Sequence, residues 1–201
     1  MAQIAKTVDK VIELPALNIQ TAIIKIVGDS SLICHAWSKK AKQEMLDKQM
    51  KKAKQAKEAK DPEKDFQESL YKIPGGGFGF PAVAFKSAAV DACSHVANMT
   101  KVEARGAFHI NGDMVTIDGK PEKREDMVRI AMGTADIRYR GEFKKWSATF
   151  EIRYNANVLQ LEQLLNLFNT AGFAIGIGEW RPQKDGSFGM FHVATAKDQA
   201  A

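Results

Sequence analysis

The chain has 201 residues, of which 45% are hydrophobic and 26% charged, and it carries a formal net charge of +5. That balance excludes disordered, collagen-like and fibrous chains, and the length suits one buried core, so a single domain over 1–201 is expected. No apolar run reaches the roughly 18 residues of a membrane span, and Met1–Lys6 lacks an apolar signal core, so a cytoplasmic protein without membrane contact is expected. Cys34 and Cys93 fit no disulfide framework and no metal or redox spacing. They read as two reduced, packed thiols. The placement of the charge says more than its size. Residues 39–64 hold ten lysines and five acids, and so the whole +5; the remaining 19 basic and 19 acidic residues cancel. The sequence describes a near-neutral body carrying one basic segment.

In chain order, residues 16–27 are rich in β-branched residues and predict a strand stopped by Gly28-Asp29. Residues 30–37 form a short apolar bridge. From Ser38 to about Ala59 the composition turns to helix formers, with a thin apolar stripe at Ala41, Met45, Met50, Ala53 and Ala56. Asp61-Pro62 ends this helix, and 38–64 reads as a basic helical insertion. Residues 72–81, with Pro74-Gly75-Gly76-Gly77-Phe78-Gly79-Phe80-Pro81, must be a loop. A helix of small residues follows over Ala82–Asn98. Strands at Arg105–Ile110 and Met114–Ile117 flank Asn111-Gly112-Asp113, a hairpin signal. Residues 120–134 are mixed. Ala135–Arg140 and Ser147–Tyr154 read as strands. Asn157 is the expected N-cap of a helix to Ala171, stopped by Gly172. Phe173–Trp180 and Phe188–Ala194 read as a last β-hairpin, before a flexible tail at 195–201.

A sheet with two packing helices is an α+β plan. The expected core is ferredoxin-like (RRM-like), an antiparallel sheet with both helices on one face, to which the basic insertion and the C-terminal hairpin are added.

The chemistry-bearing residues are sparse. His35, His95, His109 and His192 show no ligand spacing, and neither a nucleophile elbow nor a phosphate-binding P-loop occurs. No catalytic residue, metal site or cofactor is expected; a metal-dependent nuclease is the minor alternative. Three basic sets remain. The first is Lys39, Lys40, Lys48, Lys51, Lys52, Lys54 and Lys57 on the insertion, set against the plain alternative of a solvated helix face. The second is Arg138, Arg140, Lys144 and Lys145 with Trp146. The third is Trp180, Arg181 and Lys184 near Phe188. Basic groups hold phosphates and aromatic rings stack on bases, so this mixture suits single-stranded nucleic acid. The alternative for the last two sets is sheet-edge packing beside a charged turn. Phe78, set among glycines, is a further candidate stacker on a mobile finger, although the loop also reads as a simple connector. Gly176 and Gly178 would leave a bare strip where another backbone approaches.

The layout of a first strand, the segment Asp29–His35, the Pro74–Pro81 approach to a helix with Phe85-Lys86-Ser87-Ala88-Ala89, and a glycine-rich end at Gly176, Gly178, Gly186 and Gly189 resembles the RAMP superfamily. These are ferredoxin-like RNA-binding subunits that line CRISPR effector complexes. The run Gly176-Ile177-Gly178-Glu179-Trp180-Arg181-Pro182 also resembles small bacteriophage proteins. The resemblance implies a non-catalytic, oligomerising binder of single-stranded nucleic acid that stacks along the strand. The expected function is therefore sequence-independent single-strand binding in a host cytoplasm, with copies assembling into a homo-oligomer or filament, as DNA annealing or recombination would use. The alternative is a phage interaction factor, a host-defence inhibitor or virion assembly protein, docking its basic helix on an acidic protein partner.

Overall fold

A computed structural model describes residues 16–52, 59–96, 99–129 and 133–199. Its spine is one long strand, β6 (Ala135–Asn155). Along one edge of β6 lie β1 (Ile19–Gly28) and β2 (Leu32–Cys34), both antiparallel to it. Along the other lie β4 (Phe108–Ile110) and β5 (Met114–Arg129). The sheet is completed by β3 (Phe78–Pro81) on β5 and β7 (Phe191–Val193) on β1, giving seven strands.

The sheet has one buried face. Ile24 and Ile26 of β1, Ala148, Phe150 and Ile152 of β6, and Val115 and Ile117 of β5 alternate inward, as a half-buried sheet requires. Two helices cover this face, α3 (Ala82–Ala92) and α5 (Leu161–Ala174). Phe85 of α3 and Phe168 of α5 both meet Phe150, with ring centroids 5.3 and 5.7 Å apart. The expected α+β architecture, an antiparallel sheet with two helices on one face, is what the chain adopts. The opposite face, with Thr21, Ile23, Lys25, Thr149, Arg153 and His109, stays exposed.

Several local expectations change, each for a physical reason. The 105–110 strand begins only at Phe108, because Thr100 and Glu103 form a reciprocal capping box that starts α4 (Lys101–Ala107); the Thr-x-x-Glu spacing carries that signal. Asn111–Asp113 is no hairpin turn: β4 and β5 lie end to end on β6, with Gly112 supplying a positive φ at the kink. The mixed stretch belongs to β5 as far as Arg129, so β5 and β6 continue past Gly141 as a two-stranded arm. Asp61-Pro62 starts a helix; the one expected to run from Ser38 to about Ala59 stops at Gln49, with Met50 as its C-cap. Asp61 caps the Glu63 and Lys64 amides of α2 (Pro62–Ser69), with Pro62 in the first turn, where a missing N–H costs nothing.

At the C-terminal end, α5 starts at Leu161, capped by Gln160, and runs past Gly172. A Cβ on Gly172 would sit 1.7 Å from the Phe191 carbonyl oxygen, so this glycine lets β7 close on the helix. The left-handed stop is Gly176 (φ 68°), whose amide reaches the Ala171 carbonyl. Gly176 and Gly178 (φ 80°) both take φ values that no strand contains. The first arm of the expected hairpin is therefore an irregular loop. It still faces 186–189, through Ile177 N–H to Gly189 O and Phe188 N–H to Trp180 O. The tail carries a short turn at Ala196–Gln199, where Asp198 accepts from the Thr195 amide and hydroxyl.

Candidate nucleic-acid interface

The basic insertion forms α1 (Lys39–Gln49), with Ser38 accepting the Ala41 amide as its N-cap. No described residue of α1 is buried. Lys40, Lys48, Lys51 and Lys52 are exposed on and just after it. Lys52 pairs with Asp47 at 3.1 Å, and hydrogen bonds from Lys52 and Gln43 lower the Asp47 carboxyl below its ordinary range. Lys54 and Lys57 lie outside the described residues, as do Ala53 and Ala56 of the expected stripe. Lys39 opens the helix. Met45, Leu46 and Met50 are also exposed, so this helix carries cations and apolar groups without joining the core.

At the foot of α1 is Trp37, 56% exposed. It lines a groove of about 310 Å³ with His35, Lys60, Asp136, Arg138 and Tyr139. The walls are α1, α2 and the outer part of β6. Lys60 pairs with Asp136, and Arg138 reaches the same carboxylate at 3.5 Å. Trp37 and Tyr139 are absent from the basic–aromatic sets seen in sequence. Trp37 reads there as part of an apolar bridge, although it directly precedes a helix N-cap and a lysine run.

The second basic set separates. Trp146 is 4% exposed. Its indole covers Gly28, donates to the Ser30 carbonyl at 2.8 Å and meets Phe191 edge-on. It is a core residue, unavailable to a base. Arg140, 3% exposed, is no phosphate contact either. It donates to Asp126 at 3.0 Å and lies 3.7 Å from Glu179. Asp126 also accepts from Arg124 at 2.8 Å, Arg124 reaches Glu142 at 3.3 Å, and its guanidinium lies 4.7 Å from the Phe188 ring centre. Glu179 in turn meets His35 at 3.5 Å. The hydrogen bond with His35, helped by Arg140, holds the Glu179 carboxyl below its usual range. This chain of alternating charges ties the C-terminal loop to β5 and β6. Lys144 pairs with Glu122 at 2.6 Å, while Lys145 is exposed.

The third set stays at the surface. Trp180 is 43% exposed and takes a left-handed φ of 54°. Arg181 folds back onto the Gly178 carbonyl and Gln183, leaving Lys184 exposed beside it. The backbone that approaches Gly178 is the chain's own: a Cβ there would lie 2.6 Å from the Ile33 carbonyl. Phe78 is not on a mobile finger. The glycines make a tight turn, with Gly76 N–H to Ile73 O and Gly79 N–H to Tyr71 O, and Phe78 packs edge-on against Phe143 in β3.

The thiols are both free and buried, and burial pushes Cys34 up to about 12, so neither is poised as a nucleophile. Among the described residues no group of three or more His, Cys, Asp or Glu side chains is arranged to hold a metal ion. No helix among them is long and apolar enough to cross a membrane.

No protein-family model and no curated protein matches this sequence. Solved structures do match in fold. One is a chain of the type III-B Cmr-beta complex, seen by cryo-electron microscopy bound to cognate target RNA. It has 9% identity and a TM-score of 0.53, over 89% of this chain and 60% of the other. The protein thus spans about three-fifths of that neighbour's length. A second is Cmr6 from Pyrococcus furiosus, with 8% identity and a TM-score of 0.42, over 89% of this chain and all of the other. Nothing in these matches bears on the bacteriophage likeness. The first of them shows the fold alone: an antiparallel α+β architecture shared with a chain of that Cmr-beta complex.

Proposed function

We propose that the protein binds single-stranded nucleic acid through its phosphates, without sequence preference and without catalysis, and that copies assemble along the strand. The observation that carries this reading is α1 and the residues just after it: 40–52 hold five lysines against two acids, and none of these residues is buried. Lys48, Lys51 and Lys52 would hold phosphates, and Trp37 at the helix foot offers a ring on which a base can stack. Lys145, Trp180 and Lys184 add exposed groups of the same kinds on the body. The fold shared with a chain of an RNA-bound complex supports the same reading.

The test is fluorescence anisotropy with labelled oligonucleotides at several salt concentrations. Binding is expected, with log affinity falling linearly in log salt by about 0.7 per phosphate contacted. No binding at about 50 mM salt defeats the reading. Light scattering with and without oligonucleotide reads the assembly.

The exposed Met45, Leu46 and Met50 favour a second reading, in which α1 docks on an acidic protein with an apolar stripe. A partner retained on the protein after nuclease treatment, together with absent oligonucleotide binding, would favour it.

A further inference from the structure

A second positive cluster lies far from α1, at the edge of the sheet, and no sequence motif marks it. Lys86, from α3, places its Nζ 3.0 Å from His109 Nδ1 and 3.0 Å from the Arg105 carbonyl oxygen. The alkyl chain reaches this point beside Phe108, whose ring centre is 5.8 Å from Nζ. His109 on β4 lies directly opposite Arg153 on β6, and Arg153 directly opposite Thr21 on β1. Directly paired residues project from the same face of an antiparallel sheet, so the ring and the guanidinium are neighbours on its exposed face.

The protonation chemistry of this cluster is one-sided. An ammonium group only donates, so His109 Nδ1 must accept from Lys86 and the ring proton sits on Nε2. The cluster therefore presents an ammonium, a guanidinium and an imidazole N–H, all donors. Among the described residues, no carboxylate forms an ion pair with any of the three. Glu151, two residues from Arg153 on the same strand, is engaged by the Asn111 amide at 3.1 Å. Arg105, on α4, adds further positive charge beside Asp91. Partial burial, then Lys86 and Arg153, lower the His109 pKa, as uncompensated positive surroundings should.

We propose that Lys86, His109 and Arg153 form a phosphodiester-binding site, which holds a backbone phosphate of the bound strand. The inference rests on the nucleic-acid reading and gives it a second anchor. The two anchors are well separated. β2, which leads into α1, pairs with β6 at Gly141, whereas His109 pairs at Arg153, roughly 40 Å further along that strand. An oligonucleotide long enough to span both gains from linkage, and a short one does not.

The experiment follows His109 by NMR through a pH titration, free and with a saturating oligothymidylate. The signal is assigned by its loss in His109→Gln. An anion at the site raises the His109 pKa by about one unit. The double variant Lys86→Met/Arg153→Gln should weaken binding of the long oligonucleotide and lower its salt slope by about 1.4, while binding of a short one to α1 is retained. Arg153→Gln alone, at an exposed position, serves if the double variant fails to fold. Oligonucleotide binding with no His109 shift and an unchanged slope overturns this site but leaves the proposed function standing. A shift with inorganic phosphate and none with oligonucleotide overturns the phosphodiester assignment. Absence of any oligonucleotide binding removes the reading on which the site depends.

Discussion

Two regions of this protein look alike in sequence, each a basic run beside a tryptophan, and the fold treats them in opposite ways. In 37–52, Trp37, Lys40, Lys42, Lys48, Lys51 and Lys52 stay at the surface, and no described residue of α1 is buried. In 138–146, Arg140 and Trp146 are among the buried residues. The difference lies in what each run meets. The 138–146 run is in β6, whose side chains point alternately to its two faces, so that Trp146 enters the core while Arg140, on the part paired only with β5, is covered by acids of β5 and the C-terminal loop. There Asp126 and Glu179 neutralise Arg140. The 37–52 run leaves the sheet after β2. Asp65 and Glu68 of α2 line the groove at Trp37, but among the described residues Lys48, Lys51 and Lys52 form no ion pair with them, and Lys52 turns instead to Asp47 on its own segment. A local basic–aromatic mixture thus indicates an interface only where the chain supplies no partner of its own.

The comparison can be broken or sharpened by substitution. The largest effect is expected at Trp146. Trp146→Ala should destabilise the fold by about 4 kcal/mol, as loss of a large core aromatic does, with no loss of oligonucleotide affinity per folded molecule. Chemical denaturation paired with anisotropy checks both halves. A loss of affinity with little loss of stability would place Trp146 in an interface. Next, Arg140→Ala leaves Asp126 short of a buried partner and should cost about 3 kcal/mol. Lys144→Ala, which breaks an exposed pair with Glu122, should cost less than about 1 kcal/mol. Comparable losses would mean that the Arg140 chain of charges is no tighter than a surface pair.

Lys48→Glu/Lys51→Glu should reverse the pattern. Thermal stability is expected to hold, while the salt slope of binding falls by about 1.4, the share of two phosphates. A slope unchanged by the double substitution reduces α1 to a solvated helix.

The smallest effect concerns a surface cluster that resembles neither region. His192 lies 2.6 Å from Asp29 and 3.3 Å from Asp198. Partial burial opposes its protonation, but hydrogen bonds to these two carboxylates outweigh it and raise the His192 pKa. A raised folded-state value means that the protonated form stabilises the fold. The contribution is complete below the unfolded value near 6.5 and is lost as pH rises through the folded value. Asp198 behaves oppositely. Hydrogen bonds from Thr195 bring it to about 2, so its contribution is present above the ordinary aspartate range and is lost as pH falls towards 2. Melting temperature against pH should show a shallow fall above neutrality in the wild type and none from this source in His192→Gln.

Much of the fold was legible. β1 is rich in β-branched residues and alternates in part, the small-residue pattern of α3 was visible, and the leucines of α5 fall on one face. Boundaries were less so. Gly172 has the signature of a helix stop, and only the approach of Phe191 reveals that it is there for packing. Thr100 and Glu103 carried a helix start that the β-branched and aromatic residues downstream obscured. In the candidate interface, the exposed lysines of α1 were readable because charge excess is additive along a chain. Trp37 was not, because an aromatic residue's exposure depends on what lies across from it. The cluster of Lys86, His109 and Arg153 was not readable at all. Its members come from a helix and two strands and are brought together only by sheet register.

The sequence alone determined the α+β class, the neutral body and the single basic segment, because these follow from composition, periodicity and summed charge. Tertiary structure decided which cations remain available. It turned Arg140 and Trp146 inward, folded Phe78 into β3 and set His109 opposite Arg153. The physical reason is that a charge or a ring is free only if no partner faces it. In this protein the facing partners, such as Asp126 for Arg140 and Ser30 for Trp146, lie 14 and 116 residues away in the chain.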